Sequence, residues 1–213
     1  MATLLKGAEV VSAINERIMN DTAMMRAKGV APTLAVVRVG ARADDIAYER
    51  GVKKRAETVG VEVRLYDMPD TVSQSELLTL IHWVNENRDI HGCLIFRPLP
   101  KHIDDERIRA ALSPDKDVDG ITDGSLAAVF SGTDRGFPPC TAQACMEILD
   151  YYGIEIKGKT AVVIGRSLVV GKPVAMLLLG KNATVTICHT KTQDLPSVAK
   201  RADILIVSAG RPG

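Results

Sequence analysis

Thr160-Ala-Val-Val-Ile-Gly165-Arg166-Ser167-Leu-Val-Val-Gly171-Lys172-Pro173-Val-Ala-Met-Leu-Leu-Leu179 spells a buried strand, a tight turn and the start of a helix. The apolar run that stops at Gly165 suits a strand covered on both faces. Pro173 suits a first helical turn, where its missing N–H leaves nothing unpaired. Free amide groups and the positive end of the helix dipole point at such a turn, which is therefore predicted to hold phosphate. As a dinucleotide fingerprint the match is partial. G-x-G-x-x-G has three close glycines, whereas here Ser167 takes the second slot and Gly171 falls one place late. On this stretch alone, a dinucleotide site and an ordinary βα turn whose glycines serve only backbone geometry both stay open.

The chain around it is that of an ordinary globular protein: 213 residues, 46% apolar and 25% charged, enough for one or two domains. With 27 basic against 26 acidic residues the net charge is +1, so no general attraction to nucleic acid or anionic lipid is implied. No apolar run approaches the roughly 20 residues of a membrane span, and the first residues lack the order of a signal peptide, so a cytoplasmic protein is expected. The four cysteines, Cys93, Cys140, Cys145 and Cys188, form no C-x-x-C pair. Reduced, buried thiols and no metal site are expected.

Apolar residues at helical spacing predict a helix over 7–28, closed by Gly29, and Ala31 to Gly40 reads as a buried strand. A helix over 44–58, a strand over Val61–Tyr66, a helix from Ser73 to Asn87 and a strand from His91 into Arg97-Pro-Leu-Pro100 follow. Strands alternate with helices, so the sheet is predicted to be largely parallel. A short helix covers 104–112, Ser113 to Gly120 is a polar loop, and Thr141 is the candidate N-cap of a helix to Tyr152. Composition shifts near 140, giving a first domain over 1–140 and a dinucleotide-binding domain over 141–213. In the latter, strands at 159–165, 183–189 and 202–210 alternate with helices at 171–180 and 194–201. The last strand has no covering helix after it, so a C-terminally short, incomplete domain is expected.

At the end of the second strand of a dinucleotide site, a carboxylate favours NAD by accepting from the ribose 2′-hydroxyl. Here the sequence is His189-Thr190-Lys191-Thr192, without a carboxylate, and Arg166 projects from the neighbouring turn. Lys191, Thr190 and the forked guanidinium suit a 2′-phosphate, which favours NADP.

Gly165-Arg-Ser-x-x-Val-Gly-x-Pro173, Cys188-His-Thr-Lys191, Pro139-Cys-Thr141, Asp117-Val-Asp-Gly120 and Pro98-Leu-Pro100, in this order and spacing, closely resemble the methylenetetrahydrofolate dehydrogenase/methenyltetrahydrofolate cyclohydrolase family of one-carbon metabolism. The similarity runs over essentially the whole chain. It implies two α/β domains flanking a cleft, tetrahydrofolate derivatives on the first, NADP on a Rossmann-like second domain, and a homodimer formed through that second domain. It assigns cofactor contacts to Thr141, Gly165, Arg166, Ser167, Gly171, Pro173, His189, Thr190, Lys191 and Ala209. Tyr48, Pro98, Leu99 and Asp119 become substrate residues, with Tyr48 and Asp119 at the chemistry: Tyr48 as a wall against the folate, and Asp119 holding the pterin amino and ring N–H groups.

Two positions depart from the pattern. The family's Y-V-x-x-K helix motif reads Tyr48-Glu-Arg-Gly-Val52, so Val52 replaces the lysine that handles protons in the cyclohydrolase step. Phe96 replaces the glutamine of Q-L-P-L-P that tunes that lysine. Ser125 and Ala127 stand where asparagine and glycine are usual, and Asp45 where serine is common. Val52 and Phe96 cannot move protons, whereas hydride transfer to NADP needs no protein base. The expectation is an NADP-dependent 5,10-methylenetetrahydrofolate dehydrogenase with weak or absent cyclohydrolase activity. The alternatives are a bifunctional enzyme using a displaced cation such as Lys53, and a catalytically silent binding homologue. Lys53 lies about 140° around the helix from Tyr48, whereas Arg55 returns to its face. Arg97 reads either as a solvated strand-end cation or as a contact for the folate glutamate tail.

Overall fold

The computed structural model describes residues 4–210. The chain forms two compact units, Ala8–Val118 and the residues from Asp119 onward joined by the N-terminal stretch up to Gly7. Each is built on a three-stranded parallel sheet, in keeping with the α/β class expected from the alternation of elements.

The first unit runs α1 (Gly7–Ala27), β1 (Thr33–Val39), α2 (Ala43–Val59), β2 (Glu62–Met68), α3 (Gln74–Glu86), β3 (Gly92–Ile95) and α4 (Asp105–Ala111). The strand order β2-β1-β3 puts β1 in the middle, which is why its sequence is an almost unbroken apolar run. Local chemistry sets the helix ends. Ser73 and Glu76 form a capping box at α3, Asp104 accepts from the backbone of Glu106 and Arg107 at α4, and Gly60 ends α2 in the left-handed region at φ 76°.

The second unit contains α5 (Asp123–Ser131), α6 (Cys140–Tyr151), β4 (Thr160–Ile164), α7 (Gly171–Gly180), β5 (Thr184–Cys188), α8 (Leu195–Lys200) and β6 (Ile204–Val207), with strand order β5-β4-β6. Its core joins Ala142 and Met146 of α6 to Val163 of β4 and to Val174 and Leu178 of α7. Among the described residues no helix is long and apolar enough to cross a membrane.

Four local expectations need correction. Thr141 is not the N-cap of α6: the carbonyl of Pro139 already accepts from Gln143 N–H (3.0 Å), so residue 139 is the cap and the helix starts at Cys140. The loop after α4 is not wholly irregular, because Pro114–Lys116 make a 3-10 turn and fully buried Asp117 bridges to Cys93. Helix α5 was not anticipated; Thr122 caps it by accepting from Ser125 N–H. Finally, Cys140 is an exposed thiol, while Cys93 and Cys188 are buried as expected.

Candidate functional site

The three parallel strands of the second unit end together, and a cavity of about 540 Å³ opens at their C-terminal edge. This is where ligands bind in open α/β sheets, and the volume lies in the ordinary range for a small-molecule site. It is lined by Ile164, Gly165 and Arg166 after β4, His189 and Thr190 after β5, Ser208, Ala209 and Gly210 after β6, and Leu195. Five of these, Gly165, Arg166, His189, Thr190 and Ala209, were expected from sequence; Ser208 and Leu195 were not singled out. Gly165 signals Ser208: at φ 130°, a Cβ there would run into the Ser208 side chain.

The turn before α7 is organised by Ser167. Its hydroxyl accepts from Val170 N–H (3.1 Å) and its carbonyl accepts from Lys172 N–H (3.0 Å). These amides, which the sequence left free for an anion, are therefore used in closing the turn. Pro173 is buried within the first turn of α7. After β5, His189 N–H donates to Thr192 Oγ1 (2.8 Å) and Lys191 N–H donates to His189 Nδ1 (3.1 Å). In the neutral ring, then, Nε2 carries the proton and is the donor left for a ligand. Arg166, Thr190 and Lys191 are exposed, and Thr141 is exposed on α6. Arg166 and Thr190 share the cavity; Lys191 is not among its lining residues. No carboxylate lines it either.

In the first unit, Tyr48 is 60% exposed and its ring meets that of Phe96, itself 6% exposed, at a centroid distance of 5.2 Å. Tyr48, Val52 and Arg55 line one face of a largely apolar groove of about 360 Å³ that continues over Leu34, Ala56 and Val59. Lys53 points elsewhere. Its ammonium donates to Glu49 Oε1 (2.6 Å), and α2 is unbroken, so no register shift returns Lys53 to the face of Tyr48. Pro98 is exposed and Leu99 half-buried in the corner after β3. Arg97 makes a bidentate pair with Asp105 (2.7 and 2.6 Å), a bond to the neighbouring helix rather than a bare solvated cation. Asp119 is the first residue of the other unit and is half-buried. Ser125 is fully buried under the cap of α5, and Ala127 is exposed.

Residues 5–119 match the domain described as tetrahydrofolate dehydrogenase/cyclohydrolase, catalytic domain, and residues 139–213 match the NAD(P)-binding domain of the same family. The chain belongs to the tetrahydrofolate dehydrogenase/cyclohydrolase family. It is 49% identical over 211 residues to the bifunctional protein FolD of Carboxydothermus hydrogenoformans, covering 99% of this chain and 74% of that protein. Among solved structures, it superposes with a TM-score of 0.93 on the bifunctional FolD methylenetetrahydrofolate dehydrogenase/cyclohydrolase of Campylobacter jejuni, 37% identical over 98% of this chain and 74% of that one. The Trypanosoma brucei methylenetetrahydrofolate dehydrogenase-cyclohydrolase, solved with NADP cofactor and an inhibitor, gives 0.88 at 33% identity, covering 100% and 73%.

Membership of the tetrahydrofolate dehydrogenase/cyclohydrolase family gives the two features their parts. The cavity at the strand ends lies in its NAD(P)-binding domain, and the Tyr48–Phe96 stack lies in its catalytic domain. Sequence reasoning overlooked the ionic cluster beside that stack. Arg38 and Glu49, 6% and 9% exposed, pair at 2.8 Å. The signal was available: Arg38 is the one charged residue in the apolar run of β1.

Proposed function

We propose that the chain oxidises 5,10-methylenetetrahydrofolate to 5,10-methenyltetrahydrofolate with NADP. The observation that carries this is the strand-end cavity with Arg166 at its rim and no carboxylate among its lining residues. Its residues fit the cofactor. Gly171 packs so close beneath Gly165 that a Cβ would lie 2.5 Å from the Gly165 carbonyl carbon, which leaves the turn low and open for a pyrophosphate. NADP supplies the hydride acceptor when bound. Arg166, with Thr190 and Lys191 beside it, would take the 2′-phosphate, and His189 Nε2–H and the Ser208 and Ala209 edge would orient the rest. In the same proposal Tyr48 forms a wall for the folate beside Pro98 and Leu99, and the Asp119 carboxylate accepts from the pterin N–H groups. The hydride leaves a cation shared by two folate nitrogens, so alignment rather than a protein base carries the step.

The names of the relatives favour both activities, and on that ground oxidation followed by hydrolysis of the methenyl bridge stands ahead of oxidation alone. Oxidation with weak or absent hydrolysis is the second reading, and one observation favours it. Val52 and buried Phe96 put apolar surface beside Tyr48, and the ammonium of Lys53 on α2 is held by Glu49.

One experiment separates the cases: follow NADPH and methenyl-folate absorbance together after adding methylene-folate and NADP. NADPH with prompt loss of methenyl-folate to the formyl form supports the bifunctional enzyme. One-for-one accumulation supports oxidation alone, and no NADPH sinks both.

A further inference from the structure

Tyr48 and Glu49 are consecutive in α2, and they hold two residues that are neighbours across the sheet. The Phe96 amide donates to Val37 O (2.9 Å), which sets Phe96 alongside Arg38 at the C-terminal edge of β1 and β3. The Tyr48 ring packs against that of Phe96 at a tilt of 50°, while Glu49 Oε2 accepts from Arg38 Nε (2.8 Å). Each nitrogen of Arg38 and each carboxylate oxygen of Glu49 has a partner. Glu49 Oε1 accepts from Lys53 Nζ (2.6 Å), Arg38 Nη2 pairs with Asp67 Oδ2 on β2 (2.8 Å), and Arg38 Nη1 donates to the carbonyl of Gly40. The hydrogen bond from Lys53, ahead of that from Arg38, holds the Glu49 carboxyl below its ordinary range against the opposing effect of burial.

Burying two charges is costly, and well-packed apolar side chains often serve stability equally well in their place. What an ionic lock adds is direction. An apolar face tolerates small rotations of a helix, whereas a carboxylate bonded to a guanidinium that is itself tied to β2 and to the Gly40 turn does not. The lock reaches the middle strand through Arg38, the edge strand through Asp67, and the turn at Gly40 that leads into α2.

We propose that Glu49 is a positioning residue, which fixes the rotation of α2 on β1 so that Tyr48 stands on Phe96 and presents its exposed face to the folate. This rests on the proposed role of Tyr48 as the folate wall.

The test uses the full chain and steady-state KM values for methylenetetrahydrofolate and NADP, with kcat, for three variants. Tyr48→Ala is expected to raise the folate KM about tenfold or more. Glu49→Gln, which keeps shape but weakens the lock, and the apolar exchange Arg38→Leu with Glu49→Val are expected to raise it by about tenfold while the NADP KM stays unchanged. An unchanged urea midpoint shows that the double variant is folded. Should it be folded and keep the wild-type folate KM, the lock is merely structural and the inference is overturned. Glu49→Gln decides the matter alone if the double variant does not fold. A Tyr48→Ala variant with unaltered folate KM would remove the folate-wall role, and the inference with it. A large Tyr48 effect with silent Glu49 variants would overturn the positioning role only.

Discussion

Gly171 and Gly165 are in backbone contact across the turn that joins β4 to α7: a Cβ built on Gly171 would meet the Gly165 carbonyl and lie 2.8 Å from the Arg166 nitrogen. Nothing flexible can give way there. Gly171→Ala is therefore expected to push α7 off the strand end, destabilising the second unit by about 1–3 kcal/mol, as overpacking does. It should also abolish retention on an NADP-analogue resin. Calorimetry of the full chain checks the first effect. A variant with wild-type melting and binding would show that the glycine is incidental.

The cation beside that turn makes a sharper claim. If Arg166 contacts the 2′-phosphate, Arg166→Ala removes one or two charge-assisted hydrogen bonds from NADP and none from NAD. The expected rise in the NADP KM is about 10- to 100-fold, with the NAD KM changed little. The NADP effect should shrink as salt is raised, because the contact is at an exposed rim. Equal effects on the two cofactors would refute the assignment.

What could be read in advance followed from local chemistry. Helix α7 keeps its expected limits because glycines bound an apolar run at both ends, and β1 is central because its apolar run leaves no face for water. Part of the cavity lining was legible in the same way, because Gly165 and His189 mark the ends of β4 and β5. What was missed depends on contacts distant in sequence. Arg38 and Glu49 meet only once α2 has folded back on β1, and Ser208 enters the cavity only because β6 lies beside β4. Helix α5 escaped notice because only Ser125 and Ala128 are buried along it, too few to mark an apolar face.

Thiol chemistry offers a check on the fold that owes nothing to activity. Burial, with the nearby Asp117 charge second, pushes the Cys93 thiol up to about 12 from an ordinary value near 9. Between those values the unfolded chain releases a proton that the folded chain retains. Cys93 thus leaves stability intact below about pH 9 and erodes it as pH rises toward 12. Urea midpoints should fall from pH 8.5 to 10.5, and less steeply in Cys93→Ala, although that variant starts lower. At pH 8 a maleimide should label exposed Cys140 within minutes, and Cys93 and Cys188 only in denaturant.

The strongest test of the departures at Val52 and Phe96 is to reverse them. Val52 lines the same groove as Tyr48, one helical turn further on, and Phe96 lies under the Tyr48 ring. A lysine and a glutamine at these positions would therefore both flank the proposed folate wall. If proton transfer is what the chain lacks, Val52→Lys with Phe96→Gln should raise methenyl-folate hydrolysis by about 10²- to 10⁴-fold, the usual contribution of a positioned acid or base. Neither single variant should match it, since a lysine against the Phe96 ring lacks its hydrogen-bond partner and a glutamine without the lysine has no proton to move. Stopped-flow loss of methenyl absorbance measures the step directly. A parent chain that already hydrolyses methenyl-folate rapidly, with no gain in the double variant, would establish that another group carries the proton. Lys53→Met would then be the next substitution to make, because its ammonium is held on Glu49, the residue that follows Tyr48.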